Sequence, residues 1–138
     1  MVSKQLKGIN ILVTRPAHQS AFLAGGIRAA GGNPILFPVL EITDVKDSTP
    51  LIKLINRLDE FDWAIFVSPN AVNKAMSCMV KQRTLPSHLK IAAVGKGSAD
   101  TLKNYDVNEV LTPTGHSDSE ALLKREELQN MTSKRVVI

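Results

Sequence analysis

Two short segments of this chain combine small residues and hydroxyl groups with a change from strand pattern to helix pattern. The first is Ser68-Pro69-Asn70, which ends an apolar run that begins at Trp63. Ser68 suits the N-cap position, and Pro69 suits the first helical position, where its missing N–H costs nothing. The free amides and dipole of such a helix terminus attract a carboxylate or a phosphate. Helix capping alone also explains these residue types.

The second segment is Gly95-Lys96-Gly97-Ser98, which follows the apolar run 91–94. Its glycines let a backbone approach a ligand closely, and Ser98 is predicted to cap a helix while offering its hydroxyl. A tight turn that requires positive φ explains the glycines without a ligand, and Lys96 also fits a solvated loop lysine. Because the third glycine of the dinucleotide pattern is absent, the segment does not predict a Rossmann nucleotide site.

Thr14 and Arg15 form a third candidate, at a turn between the strand-like run 9–13 and a helix. Arg15 is the best candidate for a charged contact with an anion, and a structural ion pair beside Pro16 is the alternative. The hydroxyls of Thr14, Ser68 and Ser98 are expected to act as further donors.

The residues that most often perform acid, nucleophile or metal chemistry are dispersed. His18, His88 and His116 are far apart and lack the spacing of metal ligands, so we predict neither a metal site nor a histidine general acid. Cys78, the one cysteine, is expected to be a half-buried apolar residue on a helix. The pattern of residues assigns no catalytic residue.

Composition indicates a globular protein with anionic partners. Of 138 residues, 43% are hydrophobic and 22% are charged. The net charge of +4 favours an anion, while scattered basic residues and few aromatic ones argue against nucleic acid. No apolar run is long enough to cross a membrane, and residues 1–7 lack the apolar core of a secretion signal. We therefore predict a cytoplasmic protein that binds neither nucleic acid nor membrane.

Strand and helix patterns alternate along the chain, which predicts an α/β fold with parallel sheets flanked by helices. The helix after Pro69 carries a methionine-bearing apolar face that we assign to the core together with Trp63. Strands are expected at 9–13, 34–38, 63–67, 91–94, 107–111 and 135–138, and helices at about 19–30, 51–58, 69–80, 98–102 and 117–128.

Several single residues carry more specific predictions. Gly25 and Gly26 weaken the first helix and so suggest close packing or close backbone approach. The spacing of Ser117 and Glu120 predicts a capping box. Asp62 is typical of a turn and Asp100 of the first turn of a helix.

Five segments in order resemble the uroporphyrinogen-III synthase family across nearly the whole chain. They are Ile11–Pro16, the crossing 38–42, Phe61–Val72, Ile91–Gly95 with Ser98, Ala99 and Leu102, and Ser119–Leu123. The chain departs from the family at Val67 and Ser98, where the family usually has Thr, and at Tyr105 or Asp106, where it usually has Gly.

The resemblance implies two domains, each a parallel sheet flanked by helices, joined by two extended strands. In those terms residues 1–38 begin the first domain, 39–45 form a crossing strand and 46–138 form an incomplete second domain. The rest of the first domain and the second half of the family architecture are expected to be missing from this chain.

The resemblance also implies an enzyme that works as a monomer without a cofactor. Its substrate is hydroxymethylbilane, a linear tetrapyrrole polycarboxylate, which is cyclised with loss of water and inversion of the last ring. On this view the substrate-binding residues are Thr14, Arg15, Ser68, Pro69, Asn70, Gly95, Lys96, Gly97 and Ser98. A family tyrosine proposed to assist the leaving hydroxyl has no counterpart here.

Because family members are longer, we expect these 138 residues alone to be inactive and to leave the bilane to close spontaneously to the type I isomer. The alternative is a non-catalytic α/β module that binds an anion or another ligand.

Overall fold

The computed structural model describes residues 5–138, which divide into two compact units with a boundary between Lys46 and Asp47. Both units contain parallel strands with helices packed against them, which confirms the predicted α/β class. Residues 37–48 contain neither helix nor strand, so no regular strand forms at 39–45. The domain assignment around that segment stays a prediction. Residues 1–4, which belong to the predicted first domain and to the segment assessed for a secretion signal, lie outside the described residues.

The first unit is a β-α-β arrangement. Strands β1 (Asn10–Val13) and β2 (Asn33–Leu36) pair in parallel, and helix α1 (Ala17–Ala29) connects them. Gly31 has φ of +86°, a conformation that glycine adopts at little cost, and it ends the helix as predicted. Pro34 lies in a strand that pairs on one side only, which agrees with its expected position at an edge.

The expectation for Gly25 and Gly26 is wrong in the described structure. Both residues are exposed, and a Cβ added at either position would meet nothing within 4 Å. Helix α1 instead packs on its sheet through the buried residues Ser20, Ala24 and Ile27. These three follow the i, i+4, i+7 spacing of one helix face, from which both glycines point away.

The second unit is a four-stranded parallel sheet with strand order β5-β4-β3-β6. Its elements are α2 (Thr49–Asn56), a 3₁₀ turn (Leu58–Glu60), β3 (Trp63–Phe66), α3 (Pro69–Met79), β4 (Lys90–Ala93), α4 (Lys96–Lys103), β5 (Val110–Leu111), α5 (Ser119–Leu123), a second 3₁₀ turn (Glu126–Leu128) and β6 (Val136–Val137).

Alternation along the strands divides the core of this unit between two faces of the sheet. One face carries Ala64 and Ile91 and packs against α2, α3 and α4, where the methionine-bearing face is buried through Met76 and Met79 as predicted. The other face carries Trp63 and packs against α5 and the second 3₁₀ turn. The prediction that Trp63 belongs to the core is confirmed, since it is 5% exposed.

Some element ends differ from the predicted ones. The strand expected at 107–111 pairs only at Val110–Leu111, and Val80 is exposed because α3 ends before it. The helix expected at 117–128 is interrupted at Arg125, whose ψ of 134° is extended. Cys78 is half-buried on α3, as predicted.

The predicted capping box is also wrong. Asp118, not Ser117, is the N-cap of α5, and its Oδ1 accepts a hydrogen bond from the amide of Ala121 at 2.7 Å. A carboxylate is a stronger acceptor than a hydroxyl, and it takes the cap one residue later.

Asp106 follows α4 with φ of +61°, the left-handed region in which glycine is favoured. The resemblance described above implies a Gly either here or at Tyr105. We expect Asp106→Gly to raise the free energy of unfolding by about 0.5–1 kcal/mol, because it removes the Cβ strain. Urea unfolding measures the change. Asn104→Gly is the matched control, since Asn104 has φ of −65°, and it should give no gain. Equal effects of the two variants would contradict the strain argument.

Candidate functional site

The junction between β3 and α3 has the predicted cap. Ser68 is the N-cap, its Oγ accepts a hydrogen bond from the amide of Ala71 at 3.1 Å, and Pro69 is the first helical residue. The carbonyl oxygen of Ser68 accepts from the amide of Val72. The amide of Ala71 is therefore already bound by the side chain of Ser68 and is not available to an external anion.

The junction between β4 and α4 differs, because it has no side-chain cap. Gly95 is the N-cap with extended φ and ψ of −146° and 161°, and its carbonyl oxygen accepts from the amides of Ser98 and Ala99. The amides of Lys96 and Gly97 have no hydrogen-bond partner within residues 5–138. Two successive N–H groups are therefore available at this helix terminus.

Two sequence predictions for this junction are wrong. Ser98 is the third residue of α4 rather than its cap, because the helix begins earlier, at Lys96, and Ser98 is only 3% exposed. Neither Gly95 nor Gly97 has positive φ, so a turn of that kind does not explain them. Because neither residue has a side chain, the backbone of this junction lies close to two neighbouring segments of the second unit.

The sheet brings three junctions together at one edge. Strands β3, β4 and β5 are parallel neighbours, so the segments that follow them start at the same edge. A Cβ at Gly97 would lie 3.5 Å from Cγ of Pro69, and one at Gly95 would lie 3.5 Å from Cβ of Ser117. Ser117 is thus a site residue that sequence reasoning assigned to capping. No sequence signal identifies it, because its position follows from the strand order.

Thr14 and Arg15 are exposed between β1 and α1 in the first unit. Arg15 donates a hydrogen bond to Oε1 of Gln19 at 3.3 Å, and it pairs with no carboxylate in the described part of the chain. The structural ion pair considered for Arg15 is therefore not observed there. Helix α1 begins after Pro16 without a side-chain cap. A role for these residues in binding stays a prediction.

The charged residues of α4 form a compact group. Lys96 donates to Oδ2 of Asp100 at 2.6 Å, and Lys103 donates to Oδ1 at 3.1 Å. Lys96 lies in the helix rather than in a loop. The prediction that Asp100 lies in the first turn of the helix is wrong, because α4 begins at Lys96 and Asp100 is its fifth residue. The two ammonium groups, that of Lys96 first, hold the pKa of Asp100 below its usual value.

Two acidic residues before β3 bind the segment that leads into β6. The sequence did not predict these contacts. Asp62 accepts hydrogen bonds from the side chain of Lys134 and from the amide of Arg135, both at 2.9 Å. Glu60 accepts from Arg57 and also pairs with Arg135 at 2.8 Å. The hydrogen bond from Arg135 lowers the pKa of Asp62, and that from Arg57 chiefly lowers the pKa of Glu60, to about 2. Asp62 is therefore more than a turn residue.

These lowered pKa values predict acid sensitivity. A carboxylate whose pKa is lower in the folded state contributes stability above its unfolded pKa, 4.5 for Glu60, and that contribution is lost as pH falls toward about 2. We expect the thermal midpoint to fall across this interval, and Glu60→Gln to flatten the fall. Midpoints measured by circular dichroism at several pH values test this, with Glu126→Gln as the control at an exposed glutamate. An unchanged slope in the Glu60 variant would refute this assignment.

Within residues 5–138, no three His, Cys, Asp or Glu side chains are grouped so that they could hold a metal ion. The same part of the chain contains no helix with the length and apolar character needed to cross a membrane.

The structure thus has the fold of an α/β protein with parallel sheets, and in the second unit the segments that follow β3, β4 and β5 meet at one edge of the sheet. A sequence model of the family described as uroporphyrinogen-III synthase HemD matches residues 21–138. The chain belongs to the uroporphyrinogen-III synthase family, which confirms the resemblance.

Named relatives agree with this assignment. The uroporphyrinogen-III synthase of Synechococcus elongatus is 38% identical over 104 residues, covering 74% of this chain and 39% of the relative. That of Escherichia coli is 31% identical over 131 residues, covering 94% of this chain and 53% of the relative. The chain therefore spans about half or less of the length of these relatives.

Proposed function

We propose that this chain serves uroporphyrinogen-III synthesis by holding the carboxylates of hydroxymethylbilane. In this reaction the linear tetrapyrrole loses its terminal hydroxyl as water, inverts its last ring through a spiro intermediate and closes. Once water has left, the cationic intermediate is intrinsically reactive, so the protein's main task is to hold the chain ends together in the productive orientation. We assign no catalytic residue, cofactor or metal to this reaction, and we propose that the protein acts as a monomer in the cytoplasm.

The observation that carries this proposal is the uncapped β4–α4 junction. The unpaired amides of Lys96 and Gly97 lie at the positive end of a helix, and this junction contacts Pro69 and the loop that contains Ser117. A carboxylate bound there receives two backbone hydrogen bonds and the favourable field of the helix.

The other predicted contacts have narrower roles. At the β3–α3 junction, Ser68 is committed to capping, so Ser68, Pro69 and Asn70 are proposed to shape the edge of the site. Thr14 and Arg15 are proposed to bind a further carboxylate through the hydroxyl and the guanidinium. Gly95 and Gly97 are proposed to contribute backbone to the site, and the hydroxyl of Ser98, which is 3% exposed, is proposed as a donor only to a carboxylate oxygen that reaches the helix terminus itself.

A binding experiment tests the proposal directly. The 138-residue protein is titrated into uroporphyrin III, the stable oxidised form of the product, and binding is followed through the fluorescence of the porphyrin. We expect saturable binding that weakens as salt rises, because carboxylates are recognised by positive charge and amides. An esterified uroporphyrin, which lacks the negative charges, is the control and should not bind. Equal binding of the ester, or no binding of either compound, would contradict the proposal.

An isomer assay with fresh hydroxymethylbilane follows turnover separately. The match covers 39% of one of these relatives and 53% of the other, so we propose that binding is retained and that the type I isomer predominates. Type III product above the spontaneous background would show that the 138 residues are themselves competent.

A further inference from the structure

A groove of about 500 Å³ runs along one side of α4, within the second unit. One wall is formed by helix residues that include Lys96, Asp100 and Lys103, and the other by Asn108, Thr112 and Ser117. We call it the α4 groove. It begins beside the β4–α4 junction, because Ser117 is the residue that a Cβ at Gly95 would contact.

The lysines of this groove are already arranged around a carboxylate. Lys96 and Lys103 both donate to the carboxylate of Asp100, one to each oxygen. The side chains of Lys96 and Lys103 are largely exposed, at 84% and 57%, so each can turn toward a ligand at little cost in buried contacts. Asp100 therefore shows how this pair binds a carboxylate, and it also competes with any carboxylate that enters the groove.

The opposite wall supplies neutral donors. The hydroxyls of Thr112 and Ser117 form no hydrogen bond with the protein in the described part of the chain, and Asn108 donates only one long bond, of 3.4 Å, to the carbonyl oxygen of Asp106. Two lysines on one wall and three polar side chains on the other favour a ligand that carries more than one acceptor oxygen.

We propose that the α4 groove binds a carboxylate side arm of the tetrapyrrole, in addition to the carboxylate bound by the amides of Lys96 and Gly97. This inference rests on the proposed function and assigns Lys103, Asn108, Thr112 and Ser117 to the substrate site. The side arm enters between the two walls and draws the lysines away from Asp100.

Two substitutions with opposite expected effects on the affinity test the role of the groove. We expect Lys103→Gln to weaken binding of uroporphyrin III to the 138-residue protein about threefold, the effect of one exposed ion pair. Asp100→Asn should strengthen binding by a similar factor, because it frees both lysines. Lys81→Gln, at an exposed lysine after α3, makes the same change in net charge and should leave the affinity unchanged. The substituted side chains are mostly exposed, and circular dichroism checks that each variant is folded.

The outcomes separate this inference from the proposed function. Gly95→Asp is the matching test of the β4–α4 junction, because its carboxylate would occupy the free amides there. If Lys103→Gln and Asp100→Asn leave the affinity unchanged while Gly95→Asp weakens it, the groove inference is wrong and the proposed function stands. If neither the groove nor the junction affects binding, both fail. Competition by citrate, a small polycarboxylate, tests whether the groove binds any free carboxylate or specifically a side arm of the tetrapyrrole. Citrate that displaces uroporphyrin III at equal concentration would mean that the groove binds free carboxylates, and would overturn assignment of a substrate side arm.

Discussion

Gly95→Asp should weaken binding of uroporphyrin III by about tenfold to a hundredfold while leaving the protein at least as stable as before. Gly95 is the N-cap of α4 and already has the extended backbone of a capping residue. An aspartate there would accept hydrogen bonds from the amides at the second and third helical positions, which are those of Gly97 and Ser98. The protein would then hold its own carboxylate where the substrate's carboxylate is proposed to bind.

The large effect has two physical sources. One is the loss of a charge-assisted hydrogen bond, worth about 1.5–3 kcal/mol. The other is repulsion between the new carboxylate and the incoming one, which salt reduces. Stability should rise by only a few tenths of a kcal/mol, since glycine is itself an acceptable cap. A fluorescence titration gives the affinity, and urea unfolding gives the stability.

Two further substitutions at Gly95 serve as controls. Gly95→Asn occupies the amide without adding charge and should weaken binding less than Asp does. Gly95→Ala adds only a methyl group, 3.5 Å from Cβ of Ser117, and should bind nearly as the parent does. Affinity that is equal in the Asp and Ala variants would contradict the role of the amides.

Leu102→Ala should lower the free energy of unfolding by about 2–5 kcal/mol. Leu102 is fully buried in α4, in the core cluster that also contains Val72, Met76 and Ile91. Removing three side-chain carbons there loses transfer free energy and leaves a cavity under the helix. Since domains are commonly stable by about 5–15 kcal/mol, this is a large share of the total. Urea unfolding of both proteins measures it.

The matched control is Leu123→Ala, the same change in another helix at a side chain that is 61% exposed. It should alter stability by about 0.5 kcal/mol or less. Similar losses in the two variants would mean that α4 does not pack as described.

The sequence predicted the elements best where one local rule decides the structure. The apolar run at Trp63 forms a buried strand, and Ser68 and Pro69 cap and begin the following helix. The methionine-bearing stripe of α3 is buried because helical spacing alone places those residues on one face.

It predicted the caps of α4 and α5 poorly, because several neighbouring residues satisfy the same rule. Gly95 and Ser98 are both acceptable N-caps, as are Ser117 and Asp118, and the helix start depends on how the preceding strand enters the sheet. Capping propensity therefore gave the existence of these helices but not their first residues.

Long-range contacts could not be predicted from the sequence for a different reason. Asp62 and Lys134 are 72 residues apart and meet only because β6 pairs with β3. Ser117 lies against Gly95 for the same kind of reason, which is the pairing of β4 with β5. Such contacts follow from strand order, on which a single sequence gives little information.

The claim that the uncapped β4–α4 junction binds a substrate carboxylate is tested most directly by amide chemical shifts. The ¹⁵N-labelled 138-residue protein is titrated with uroporphyrin III, and the amide resonances of Lys96 and Gly97 are compared with that of Ala71, which Ser68 already binds. We predict that the Lys96 and Gly97 protons shift downfield and saturate with the binding curve, while Ala71 changes little. Saturated binding without a shift at Lys96 and Gly97 would contradict the account.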